Sequence, residues 1–324
     1  LMKGVSVIIR TKNEGRYLDT VLGKVFDQEG DFTIEVIVVD SGSTDNTRDI
    51  AHSYGCRVIV ITPDEFTWGL ALNIGMEAAS NEYCVLLSGH CVPVDNHWLD
   101  EITKPLSAPD IAAVCGRQVP VRNLDPFEEV ELERWFPQRP GDTPYRMFTS
   151  ANGCLKKSLW QIFRFRELLN SLEDEDLSNR LHRIGYSIRY VPAASVFHSH
   201  PLSLRGIYRR WYWRSRVGMS LRKDANPKIM LASRSALLAI RVLITTSGYF
   251  TRYFFGSIHT CLKNGYVRHL WKLPFYEIVR QHAIYSGLKD GLMDVRHDEM
   301  PGEFLYFKKE IPGFVSVFRF IEES

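Results

Sequence analysis

The sequence predicts an α/β protein built on a doubly wound, mostly parallel, Rossmann-like sheet and followed by a helical appendage. Three observations predict it. Val5 to Arg10, Glu35 to Asp40, Arg57 to Ile61 and Tyr83 to Leu87 are short, β-branched-rich apolar runs bounded by polar turns, as strands buried on both faces are. Helical patterns lie between them. The runs end in polar loops, and open α/β sheets bind ligands beyond the carboxyl ends of their strands.

In chain order, the first strand ends at Arg10 and the loop RTKNEG leads into a helix from Glu14 to Phe26. The second ends at Asp40, and DSGSTDNT leads into a helix capped by Ser43 or Thr44 and running to about Tyr54. The third is followed by a helix from Trp68 to Ala79, and the fourth by the loop SGHCVPVD. Function is therefore expected in the loops after Arg10, Asp40 and Leu87. No GxGxxG follows the first strand and no GxxxxGK[ST] occurs anywhere, so neither a Rossmann dinucleotide site nor a P-loop is supported. Asp40 at a strand tip suits a ribose hydroxyl or a base N–H. The competing reading is that Asp40 and Ser43 only cap the next helix.

The 324 residues allow one large domain or two of about 150. With 24% charged and 45% hydrophobic residues, a disordered, collagenous or coiled-coil chain is excluded. The 40 Lys and Arg nearly cancel the 38 Asp and Glu, for a net charge of +2, which favours neither a nucleic-acid coat protein nor a strongly acidic one. Six scattered cysteines without a CxxC read as buried thiols in a reducing compartment. No signal peptide is expected, because the chain runs straight into a strand. Arg234, Arg241 and Arg252 cut the most apolar C-terminal stretch into pieces well below the ~18 residues of a membrane span.

Further along, SLEDEDLSNRLHRIG reads as an amphipathic helix with Leu177, Leu181 and Ile184 on one stripe, an S-x-x-D capping box from Ser171 to Asp174, and Gly185 as its stop. Four acids, Glu173 to Asp176, crowd its start, more than capping or the helix dipole requires. His198 and His200, two apart after the strand SIRYVP, face the same side of an extended segment and can reach one ion; the alternative is two solvated imidazoles. Asp125 to Pro144 reads either as a flexible acceptor loop or as an ordinary surface connection.

The blocks VSVIIRTKNEGRYL, EVIVVDSGSTDNT, FTWGLALNIGMEAA, YCVLLSGHCVPVDNHWLDEI and SLEDEDLSNRLHRIGYSIRYVPAASVFHSH, in that order, resemble the family 2 glycosyltransferases of the GT-A fold, from Val5 to His200. The resemblance implies an inverting transferase that moves a sugar from a nucleotide-diphosphate donor, UDP or dTDP, to an acceptor hydroxyl. It implies nucleoside contacts for Thr11, Glu14, Asp40 and Ser41, and donor contact for Asn73. Glu173 and Asp174 match the family's ED pair, with Asp174 as the general base and Asp176 as its nearest competitor. Arg117 and Asn152 fall where the family lines the sugar pocket.

One departure is plain. The family places a DxD motif at the end of the fourth strand to help hold a divalent metal, Mn²⁺ or Mg²⁺. Here LLSGHCVP puts Ser88 and His90 at the two Asp positions. An imidazole suits a transition ion better than Mg²⁺, which prefers oxygen. His90 either binds metal or phosphate, together with His198 and His200, or simply packs at a strand end.

Arg205 to Lys228 holds eight Lys and Arg against the single acid Asp224, interleaved with Tyr208, Trp211, Tyr212 and Trp213. RNA binding is disfavoured for want of a nucleic-acid module. A membrane surface, a lid over the donor diphosphate and a solvated face remain. Arg210-Trp211 matches part of the QxxRW motif of processive members, but Ile207 stands in place of its Gln. Pro227 to Leu292 reads as amphipathic helices. These features divide the chain into a catalytic domain over residues 1–204 and a helical, acceptor- or membrane-facing region over 205–324. The expected protein is cytoplasmic, peripheral on the inner face of the membrane, and extends a glycan or lipid-linked acceptor in surface polysaccharide or lipopolysaccharide synthesis. The alternative is a nucleotide- or glycan-binding protein that kept the fold and lost catalysis.

Overall fold

The computed structural model describes residues 2–121, 126–139, 147–169, 171–200, 203–225 and 254–293. They divide into two compact units: the first comprises Leu1–Val121, Leu132–Glu167 and Glu173–Ser199, the second Arg122–Glu131, Leu168–Leu172 and His200–Ser324.

The first unit is an eight-stranded mixed sheet. Its strands are β1 (Lys3–Thr11), β2 (Phe32–Asp40), β3 (Arg57–Val60), β4 (Tyr83–Ser88), β5 (Val92–Pro93), β6 (Ile111–Val119), β7 (Asn152–Lys156) and β8 (Ser187–Phe197), in the spatial order β3-β2-β1-β4-β7-β6-β8-β5. The first four are parallel neighbours, as the apolar runs predict. The sheet turns mixed at β7, antiparallel to both β4 and β6, and again at β5, antiparallel to β8. Register then aligns the functional tips: Thr11 pairs with Asp40 and Arg10 with Ser88.

Alternate residues of each strand feed opposite cores, because side chains in a strand point to opposite faces. Ile8, Ile37 and Val39 pack with Leu72 and Met76 of α3 (Trp68–Ala78) and with Leu177 and Leu181 of α7 (Glu173–Arg183). Val7, Ile9, Val36 and Val38 pack on the other side with α1 (Leu18–Phe26) and with Trp98 and Leu99 of α4 (Trp98–Thr103). Each fully buried aliphatic or aromatic side chain contributes about 1.5–3 kcal/mol. Helices on both faces, among them the short α6 (Lys157–Ile162) whose Leu159 and Trp160 join the first of these cores, make the sheet doubly wound.

Several local expectations are corrected. The first helix begins at Leu18 rather than Glu14, because Glu14 belongs to the loop knitted to the second strand's turn. The second, α2, covers only Thr47–Ser53. Ser43 does not cap it: its hydroxyl donates to Asp40 Oδ2 and accepts the N–H of Asn13 at 2.8 Å. α7 starts at Glu173 after Leu172 in a left-handed conformation (φ 63°), so Ser171 stands outside the cap position. Ile184 is 51% exposed, not part of the buried stripe, since the helix has ended and Gly185 turns the chain at φ 92°. The expected loop at Asp125 to Pro144 contains the helix α5 (Pro126–Trp135); residues 122–125 and 140–146 lie outside the described residues.

In the second unit, α8 (Leu204–Ala225) packs along α10 (Leu273–Met293), preceded by α9 (residues 254–263) and a 3₁₀ turn, Val267–Lys272. Its core gathers Ile207, Tyr208 and Trp211 with Tyr276, Ala283 and Leu288. The helices expected from Pro227 onward lie outside the described residues as far as residue 253. Among the described residues no helix is long and apolar enough to cross a membrane.

Candidate active site

The first unit's loops after β1, β2 and β4 converge at the carboxyl end of the sheet. Thr11 Oγ1 donates to Asp40 Oδ2 (3.1 Å), and Asp40 Oδ1 accepts the N–H groups of Gly42 (3.2 Å) and Ser43 (2.9 Å). Asp40 has no solvent exposure, so its carboxylate shapes the turn that presents Ser41. Asn13 sits in the left-handed region (φ 55°), which Asn tolerates, and its Oδ1 accepts the N–H of Thr44 at 2.8 Å. The N–H of Glu14 donates to Thr47 Oγ1 (2.8 Å). Asn13, Ser43 and Thr47 thus lock two loops together, a role sequence reasoning missed. The Asx-rich string DSGSTDNT was the available signal.

Glu14, expected at the nucleoside, has its carboxylate 2.7 Å from Nδ1 of His90. Gly89 makes this contact possible, because a Cβ there would lie 2.8 Å from Thr11 Cγ2 and 3.0 Å from Glu14 Cγ. The His90 ring stacks on that of His198 with centroids 5.1 Å apart, and Nδ1 of His198 lies 2.5 Å from Oε1 of Gln118. A Nδ1–H donated to a carboxylate or amide oxygen leaves the lone pair on Nε2, the tautomer of a metal-ligating histidine with an oriented second shell. The ligand nitrogens of His90 and His198 lie within 4.8 Å of each other, and His200 follows His198 by two residues in the chain. The set is all imidazole, which fits a transition ion and fits Mg²⁺ poorly. Gln118 gave no recognisable signal in the sequence.

The acidic start of α7 separates into distinct environments. Glu173 is buried, accepting from Ser150 Oγ (3.1 Å) with Arg10 Nη1 3.8 Å away. Burial, then the charge of Asp174, pushes its carboxyl above the usual range against the pull of Arg10. Arg10 is itself buried, donating from Nη2 to Ser150 Oγ (2.9 Å) under the ring of Trp68, and desolvation lowers its pKa. Asp176 is buried in ion pairs with Arg180 (2.8 Å) and Arg166 (3.5 Å). Asp174 alone of these three is half-exposed; its oxygens accept the N–H of Glu175 (2.8 Å) and, at a long 3.4 Å, that of Ser150.

Asn73 and Asn152 turn out to be internal. Asn73 donates to the carbonyl of Phe165 (2.9 Å) and to Glu167 Oε1 (2.9 Å), and its oxygen accepts from Trp160 Nε1 (2.9 Å) and the N–H of Phe165 (3.1 Å). All four valences of the amide are used within the protein. Asn152, fully buried, donates to the carbonyls of Arg117 (3.0 Å) and Ala194 (2.9 Å) and accepts from Trp98 Nε1 (3.0 Å). Arg117, half-buried on β6, donates from Nε to the carbonyl of Phe136 (3.3 Å).

The family model for glycosyl transferase family 2 matches residues 6–170, just over half of the chain. The chain belongs to that family. This glycosyltransferase is 27% identical over 223 residues to the O-antigen chain rhamnosyltransferase WbaN of Salmonella anatum, covering 65% of this chain and 71% of the relative. It is 24% identical over 221 residues to the O-antigen chain rhamnosyltransferase RfbN of Salmonella typhimurium, covering 64% and 70%. Its fold matches that of the mannosyltransferase PcManGT from Pyrobaculum calidifontis, solved with GDP-Man and Mn²⁺, at a TM-score of 0.58 and 16% identity over 88% of this chain and 86% of the other. The GT-A architecture expected from the sequence is the one observed.

Proposed function

We propose that this glycosyltransferase is an inverting enzyme that moves a hexosyl or deoxyhexosyl group from a UDP- or dTDP-sugar to a hydroxyl of a glycan or lipid-linked acceptor, in surface polysaccharide or lipopolysaccharide synthesis. The O-antigen rhamnosyltransferases among its relatives support that substrate class. The observation that carries the chemistry is the half-exposed carboxylate of Asp174 at the start of α7, backed by the buried Glu173 and Arg10. Asp174 removes the proton of the acceptor hydroxyl, and the oxygen forms a bond to the anomeric carbon on the face opposite the phosphate. The bond to the phosphate breaks and the nucleoside diphosphate leaves with the electron pair, so one displacement inverts the centre. Burial in ion pairs argues against Asp176 as the base, and Glu173 acts by positioning.

Thr11 and Ser41 are assigned to the nucleoside, with Glu14, Asp40 and Asn73 framing it and Arg117 and Asn152 framing the sugar. His90, His198 and His200 would hold a divalent ion, which when bound supplies positive charge to the leaving diphosphate. Donor binding is assigned to residues 1–204 and acceptor presentation to 205–324, with the protein cytoplasmic and peripheral on the inner membrane face. Calorimetry of UDP-, dTDP- and GDP-sugars with and without Mn²⁺ tests donor and metal together. Asp174→Asn is expected to keep donor affinity and to lose transfer by roughly 10²–10⁴-fold, the contribution of a positioned base. Near-normal turnover in that variant refutes the assignment.

A further inference from the structure

A membrane surface is one of the readings left open for the aromatic-basic stretch from Arg205 to Lys228, yet Tyr208 and Trp211 of α8 are buried in the second unit's core. Arg210 pairs with Glu128 (3.4 Å) and Glu131 (3.7 Å). Among the described residues, a different face of the same unit is exposed. On α10, Phe275, Ile278, His282, Tyr285 and Lys289 follow a three-four-three-four spacing and are all exposed. At about 100° per residue they lie within an arc of roughly 80°. Ile278 is 61% exposed, Tyr285 47% and Phe275 42%, and Trp271, 49% exposed, meets Phe275 edge-on with ring centroids 6.4 Å apart. Contiguous exposed apolar side chains mark an interaction surface more than scattered ones do.

We propose that this face docks on an anionic lipid bilayer. Charge selects the occupant. Lys289 is exposed on the stripe itself, Lys272 is half-exposed over the ring of Trp271, and Lys263 and Arg268 are exposed in the segment that leads into α10. The acids of residues 254–293 are Glu277 and Asp290: Glu277 is 1% exposed against Arg280, and Asp290 accepts from Tyr212 Oη (2.6 Å). The surface is thus apolar and cationic, as interfacial helices are, with Trp and Tyr at headgroup depth and Lys and Arg on the anionic headgroups. A second copy docking through the same face would set cation against cation. The inference rests on the proposed peripheral location at the membrane and names the face that carries it; the docking itself needs neither donor nor acceptor.

The full chain is floated with vesicles of phosphatidylcholine alone and with vesicles containing added phosphatidylglycerol. It is expected to float with the anionic vesicles only and to be released by salt. The triple variant Trp271→Ser/Phe275→Ser/Ile278→Ser is expected to lower the bound fraction at least about tenfold, with unchanged thermal unfolding because these side chains are exposed. Lys263→Glu/Arg268→Glu/Lys272→Glu is expected to abolish the anionic preference. Equal binding to both vesicles, no binding by the parent, or parent-like binding by the triple variant overturns the proposal. So does a dimer in sedimentation that the triple variant dissolves, which assigns the face to a second copy. Because the vesicles carry no sugar, a failure of donor calorimetry would strike the proposed function and leave this result standing.

Discussion

Arg10 is a charged side chain at the end of a buried strand, and only 8% of it meets water. Its guanidinium and the Glu173 carboxylate desolvate each other, a costly arrangement whose use is geometric: it fixes Ser150 and the start of α7, and so Asp174. Removing one partner is expected to cost far more than removing both. Arg10→Met leaves an uncompensated buried carboxylate and should lower stability by about 3–5 kcal/mol, largely recovered in Arg10→Met/Glu173→Gln, as urea midpoints would show. Because burial raises the Glu173 pKa, the carboxyl is most easily neutral at acid pH. The Arg10→Met penalty should therefore be smaller in acid than at neutral pH; a penalty independent of pH would contradict the pairing. The family resemblance made Asp174 legible, but Arg10 was not, since nothing in VSVIIR says that its last side chain turns inward.

At the scale of elements, strands and long helices were read from periodicity, while their first turns were not. α3 appears as expected, with the side chain of Thr67 capping the N–H of Leu70 at 3.0 Å. α1 and α2 start later than expected because Glu14 and Ser43 are claimed by bonds to residues some thirty positions away, and no local rule prices those. α10 carries its own test. Glu277 is buried beside Arg280, and desolvation, only partly offset by Arg280, raises its pKa from 4.5 to about 7. A carboxyl raised in the folded state contributes stability in full below its unfolded pKa and loses it as pH rises through the folded value. The parent's stability is therefore expected to fall between about pH 4.5 and 7 relative to Glu277→Gln, by roughly 1–3 kcal/mol, in thermal melts across that range. Parallel pH profiles for the two proteins would refute it.

For the whole molecule, the near-zero net charge conceals separated populations: acids at the start of α7 in the first unit and, among the described residues, exposed cations at Lys263, Arg268 and Lys289 in the second. The six cysteines likewise behave as a set. All are buried and none is in a disulfide, and burial raises Cys56 to about 11 and Cys84 and Cys91 to about 12. Ellman's reagent at neutral pH is expected to label essentially none of them in the native protein and all six in guanidinium. Rapid native labelling would place a thiol at the surface.

Strand runs, the order of α and β segments and the family blocks are properties of the chain read along its length, and they were enough to establish an α/β glycosyltransferase fold and to point to the strand tips as its candidate site. Periodicity and motif order survive in one dimension because burial imposes them on every element separately. Contacts between distant segments do not: that Glu14 would orient His90, that Gln118 would orient His198 and that Asn152 would spend its amide inside the protein follow from the sheet order β1-β4-β7-β6-β8 and its register, and Asn73 is claimed by Trp160 and Phe165 where α3 meets that distant segment. The same holds for α8, whose aromatics look available in the sequence: Tyr208 and Trp211 are buried once α10 packs on them, and Tyr212 and Trp213 are half-buried. Burial of polar and aromatic groups is decided by what packs against them, and that partner is named only in three dimensions.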